Sequence, residues 1–216
     1  MDDWDDWDDW DVFADWDENQ TLLPALAAQD LSSVRKLDLD ISKGTLKVYK
    51  SEGISQIQVN VEDIYNKTVC SVENNTLKIK QGSYRHKSYS PKIEIQVPSG
   101  FHFDQVSLDT GTGSCRLDGI STSRLDMDTG VGTIFFAGTV TGDIDLDTGV
   151  GDVTLELAGL ETDYNYAIDC GVGTIRIGNT RYSFLSRSTA VDHQASRNMN
   201  LDCGVGSVTI TFIDTF

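Results

Sequence analysis

At 216 residues the chain is long enough for one substantial hydrophobic core and too short for a large multi-domain assembly. Its 34 Asp and Glu outnumber 17 Lys and Arg, a formal charge of -17, which excludes a nucleic-acid or anionic-membrane surface as its general role. Cys70, Cys115, Cys170 and Cys203 are too few and too scattered for a disulfide scaffold and form no CxxC pair, so the core must come from apolar packing.

Residues 1–20 begin MDDWDDWDDW and hold ten acids, no base and all four tryptophans, Trp4, Trp7, Trp10 and Trp16. Charge repulsion at that density disfavours an isolated helix, so this segment is expected to be a flexible acidic, aromatic arm, a docking peptide for a basic, apolar-lined groove. The opening is the reverse of a basic signal-peptide start, and no secretory signal is expected in the sequence as given. The following TLLPALAAQDL places a short helical cap within residues 21–33. Its apolar run, Leu22 to Ala28, is far below the roughly 20 residues that span a bilayer, and no transmembrane segment is expected.

From residue 34 onward the apolar positions alternate. KLDLDISKGTLKV at 36–48 carries Leu37, Leu39 and Ile41 in one phase, a Lys43–Gly44 turn, then Leu46 and Val48; ISQIQV (54–59), NTLKIK (75–80) and PKIEIQV (91–97) are further short strands. The second half is a repeat: LDTGTGS (108–114), MDTGVGT (127–133), LDTGVGD (146–152), IDCGVGT (168–174) and LDCGVGS (201–207). The starts advance by 19, 19, 22 and 33 residues, a unit of about 19 residues with insertions in the last two intervals. On both sides of each Gly-x-Gly the alternation has period two, as in Ile144 and Leu146 before the corner and Val153 and Leu155 after it. The three prolines, Pro24, Pro91 and Pro98, all precede this region, as strands that need every backbone donor require. The expected fold is therefore all-β: a single β-solenoid domain over 34–216, a single-stranded β-helix or β-roll of right-handed coil, with insertions near 80–92 and 178–198. Glycines serve the corners through positive φ or close backbone approach, and Val131, Val150, Val172 and Val205, with Thr112, should stack into a column.

This grammar resembles the DUF4097 family of adhesin-type bacterial β-strand-repeat proteins. The resemblance rests on KLDLDISKGTLKV, the TLKIK strand, the IEIQVPSG segment at 93–100 and the repeated rungs at 108, 127, 146, 168 and 201, and it covers nearly all of 34–212. It implies a β-helix or β-roll associated with the cell envelope or exterior, in some members with envelope-stress signalling, and it carries over no catalytic residue. The acidic arm is not part of the pattern.

Asp-Thr-Gly at 109–111, 128–130 and 147–149 matches an aspartic-protease tripeptide, but two catalytic carboxylates must share one proton about 3 Å apart. Here the tripeptide recurs at the rung period, with Cys170 and Cys203 in the Thr position, so one repeat accounts for every copy. Asp109, Asp128, Asp147, Asp169 and Asp202 should face outward at strand spacing, beside Asp126 and Asp145; they solubilise the face, with a calcium-bridged ladder as the alternative. The GGxGxD calcium consensus is missing. Cys170 and Cys203 fall on neighbouring rungs in the inward phase, expected as buried thiols with a disulfide left open. The insertions carry Arg85, His86, Lys87, Tyr84 and Tyr89, then Arg181, Arg187, His193 and Arg197; they are expected as solvated loops, with a composition that also suits protein, anionic-polymer or glycan contact. The histidines, with His102, show no zinc spacing.

These features lead to a non-enzymatic cell-envelope or adhesin-like solenoid with no catalytic, cofactor-binding or metal residues. It would offer a rigid surface to a protein or cell-surface glycan and would bind no nucleic acid. The alternatives are a scaffold in envelope-stress signalling and a carbohydrate-binding or polysaccharide-active β-helix protein. The latter would need an off-period acid cluster, which the sequence does not supply.

Overall fold

The computed structural model describes residues 31–62, 68–81 and 91–214, with the side chains of Glu62 and 183–187 excepted. The expected arm at 1–20, residues 21–30 of the cap and 82–90 of the first insertion lie outside the described residues. A 3-10 turn, Leu31–Ser33, leads into the strands that make up most of the described residues, and the all-β class holds.

Six long strands carry the alternation found in the sequence: β1 (Lys36–Ser51), β7 (Gln105–Thr122), β8 (Leu125–Val140), β9 (Ile144–Ala158), β10 (Tyr164–Ile177) and β12 (Arg197–Ile213). They stack in parallel and in register, so that equivalent repeat positions face one another. Between β1 and β7 lie β2 (Gln58–Glu62), β3 (Thr68–Glu73), β4 (Thr76–Gln81), β5 (Lys92–Pro98) and β6 (His102–Phe103), and β11 (Thr180–Val191) follows β10. On the open side of β1, β4 pairs with its first half and β5 with its second, so two short strands do the work of one long one. β4 ends at Gln81 and β5 begins at Lys92, on either side of the level where the repeats have their Gly-x-Gly corner. Antiparallel partners close both ends of the stack, β3 on β4 and β2 on β5 at one end and β11 on β10 at the other.

Register turns alternation into columns, and the inward ones make the core. Leu37, Val106, Leu125, Ile144, Met199 and Tyr166 form one; Val48, Leu117, Phe136, Leu155, Ile210 and Ile177 form another, and all are buried. Each such side chain contributes on the order of 1.5–3 kcal/mol of transfer free energy, and a rung buries its face only against its neighbours.

Two local findings refine the sequence reading. Segment 178–198 is not simply a loop: most of it is the edge strand β11, running antiparallel to β10. The second glycine of each corner serves close approach. A Cβ on Gly132 would lie 2.2 Å from the Gly113 carbonyl oxygen, and one on Gly151 would lie 2.0 Å from that of Gly132.

The stack also departs from chain order. The strand order is β7-β8-β9-β12-β10-β11, so the last strand of the chain lies between β9 and β10. Cys170 and Cys203 do sit side by side, as the repeat implied, yet Cys203 lies between Thr148 and Cys170. The connection lengths explain this. Two residues join β7 to β8 and three join β8 to β9, whereas five, 159–163, join β9 to β10. The longer link, with its 3-10 turn Glu161–Asp163, crosses two strand spacings, about 9.6 Å, instead of one.

Candidate interaction face

The outward phase of the same strands builds the site. Immediately before the corner, Asp40, Asp109, Asp128, Asp147, Asp202 and Asp169 form one column across six strands. Two residues earlier runs a second column: Asp38, Ser107, Asp126, Asp145, Asn200 and Ala167. Parallel strands stand about 4.8 Å apart, which brings like charges close enough to oppose one another.

The two columns manage that repulsion differently. In the second, Arg124 Nε lies 2.9 Å from Asp126 and its guanidinium also pairs with Asp145, while Gln105 Nε2 donates to Asp126 at 2.7 Å. Asn200 donates to Asp145 from the neighbouring strand. In the first column no described side chain forms an ion pair with Asp109, Asp128, Asp147, Asp202 or Asp169. Burial, then the facing carboxylates of Asp109 and Asp147, raises the Asp128 pKa above its ordinary value. Asp202 is raised in the same way, by burial and then by Asp147 and Asp169. At the β1 end burial and Asp109 raise Asp40, while Lys80 on β4 partly offsets them.

From β7 to β10 the two columns line an open trough of about 860 Å³, walled on the far side by Ser188, Thr189 and Ala190 of β11. Along the corner beside it stand Thr112, Val131, Val150, Val205 and Val172 in register. The expected valine column is present, and it points to solvent: the four valines are 49–56% exposed.

The Asp-Thr-Gly carboxylates lie along one edge-on column, with their Thr partners Thr110, Thr129 and Thr148 buried on the other side of the strand. They do not converge from two lobes. Among the described residues no three His, Cys, Asp or Glu side chains gather as metal ligands. All four cysteines are buried free thiols. Burial pushes Cys70 and Cys115 up to about 11, and burial together with the adjacent Cys170 pushes Cys203 up to about 12, so these three stay protonated at neutral pH.

The remaining candidates are structural. His193 Nδ1 donates to the Tyr164 carbonyl at 2.8 Å, and the His193 and Ala195 amides donate to Asn165 Oδ1 at 3.0 Å. His102 is held by Ser121 and Ser123, both at 2.8 Å. Arg197 opens β12 and packs over the Tyr164 ring, donating to the Val140 carbonyl at 3.0 Å and pairing with Asp163 at 2.9 Å. Arg181 reaches Thr174, and the side chain of Arg187 lies outside the described residues, as do those of Arg85, His86 and Lys87. Sequence reasoning missed Arg124, the cation that among the described residues bridges the second column. Its position two residues before Asp126, in the same strand phase, was the available clue.

No family model and no curated protein matches this chain. Among solved structures it is similar to a candidate cell adhesion protein from Clostridium sporogenes ATCC 15579, with a TM-score of 0.55 and 16% identity, over 86% of this chain and 96% of the other. A candidate adhesin from Bacteroides fragilis NCTC 9343 aligns over 82% of this chain and 92% of its own, with a TM-score of 0.39 and 13% identity. The Clostridium likeness shows a shared all-β fold. No described helix is long and apolar enough to cross a membrane.

Proposed function

We propose that this chain is a non-enzymatic, adhesin-like β-solenoid of the cell envelope or exterior, of the DUF4097 kind, whose trough and valine ridge bind a protein or a cell-surface glycan. The solenoid domain runs over 34–216, and the acidic arm at 1–20 precedes it. The observation that carries the reading is the in-register face. Five aspartates and four valines recur on successive strands at positions where the fold itself asks only for a polar residue and a small one. Repulsion within the aspartate column works against stability, so its retention along the stack favours a role in contact. The adhesion named for the Clostridium relative agrees with that role.

The test has two parts. Antibody labelling of intact producing cells should find the chain at the surface. The full chain should also bind such cells with an affinity that falls as salt rises and drops at least tenfold in Asp128→Asn/Asp147→Asn/Asp202→Asn. Unaltered binding by that variant would move the contact elsewhere, and absence from the envelope and exterior would end the reading.

A further inference from the structure

We propose that Cys170 and Cys203 are an oxidisable pair, which closes a disulfide between β10 and β12 and locks the last strand into the stack. Both are free thiols in this structure, and they are register partners on adjacent parallel strands. Strand spacing sets their Cα atoms about 4.8 Å apart, inside the range of roughly 4.4–6.8 Å that a disulfide spans. Both side chains are inward and fully buried. After burial itself, Cys170 is the largest cause that raises the Cys203 thiol, so each sulfur lies in the other's field.

The other two cysteines have no such partner. Cys115 stands between Leu46 and Ile134, and Cys70 faces Ile79. The pair is also specific to its two rungs. In the same column β7, β8 and β9 carry Thr110, Thr129 and Thr148, whose buried hydroxyls have no hydrogen-bond partner. Thiols replace them on the two strands that lie 33 residues apart in the chain and side by side in the stack.

Closure joins the two sulfurs and passes two electrons and two protons to a small-molecule disulfide, which leaves as two thiols. Burial sets the timing. In the folded protein both thiols are shielded, and Cys203 is held protonated, so attack on an external disulfide is slow. Oxidation therefore belongs to folding, as β12 settles between β9 and β10, and the finished bond is shielded from reductants in turn. It closes a loop that contains β11 and ties to β10 the strand whose place departs from chain order. Asp169 and Asp202 directly precede the two cysteines in the outward phase, so the bond also holds these two carboxylates of the acidic column side by side.

The full chain, unfolded in urea and refolded with a mixture of oxidised and reduced glutathione, tests the idea. Mass spectrometry should find a loss of two hydrogens, alkylation of Cys70 and Cys115 alone once the chain is denatured, and a proteolytic fragment linking positions 170 and 203. The reduced, folded protein placed in the same mixture should keep four thiols long after refolding chains have closed the bond. The linked form should unfold at a higher urea midpoint than the dithiol. In Cys170→Thr/Cys203→Thr, which restores the residue carried by β7, β8 and β9, the midpoint should no longer depend on the redox mixture. Four alkylatable thiols after oxidative refolding overturn the proposal, as does a link through Cys70 or Cys115, or a linked form no more stable than the dithiol. None of these outcomes depends on what the trough binds.

Discussion

Thr129 and Thr148 illustrate how a repeat can constrain a residue more than its site does. Their hydroxyls are buried with no hydrogen-bond partner, in the column that Cys203 and Cys170 continue. A buried hydroxyl without a partner costs free energy that an isosteric methyl group does not. Thr129→Val should therefore raise stability by about 1 kcal/mol in urea denaturation. On the opposite side of the same strands, Asp128 is raised above the ordinary 3.8. A carboxyl whose folded pKa exceeds its unfolded one holds its proton more tightly in the native state. Its contribution is present below the unfolded pKa and is lost as pH rises through the folded one. Asp128→Asn should thus be more stable than the parent at pH 7, with the gap closing as pH falls toward 4, as judged by denaturation midpoints across that range.

At the scale of the strand, the sequence disclosed a great deal because period-two alternation and in-register repetition are local properties. The inward set, the outward aspartates and the corners could all be read from the spacing of Leu146, Asp147 and Gly149 in one unit. The glycine mechanism was only half legible. Both positive φ and close approach suit Gly, and only the stack shows that Gly113, Gly132, Gly151, Gly173 and Gly206 lie against one another's backbones. Gly151→Ala would place its Cβ 2.0 Å from a backbone oxygen, so it should destabilise by about 3 kcal/mol or prevent folding, measured by thermal and urea unfolding. The exposure of the valine ridge was hidden for a similar reason. A residue between two corner glycines belongs to neither strand phase, and burial there is decided by the turn of the chain.

For the whole molecule the limit of sequence reading was order. Alternation specifies that each rung needs a parallel neighbour with matching columns, but β9, β10 and β12 satisfy that requirement for one another equally well. The choice is made by connection length, and the 22-residue interval that first read as an insertion is the length of chain that leaves room for β12. Arg197 then ties the inserted strand to Val140, Asp163 and Tyr164. This order sets Asp202 between Asp147 and Asp169 and leaves β10 beside β11, whose residues wall the trough.

Cross-linking on the exposed ridge tests that order most directly. Adjacent parallel strands bring Cα atoms within the disulfide range, and two spacings, about 9.6 Å, lie beyond it. The structure predicts rapid oxidation of Val150→Cys/Val205→Cys and of Val172→Cys/Val205→Cys, and none of Val150→Cys/Val172→Cys. A link between 150 and 172 with none between 150 and 205 would mean that the strands stack in chain order, and would contradict the account.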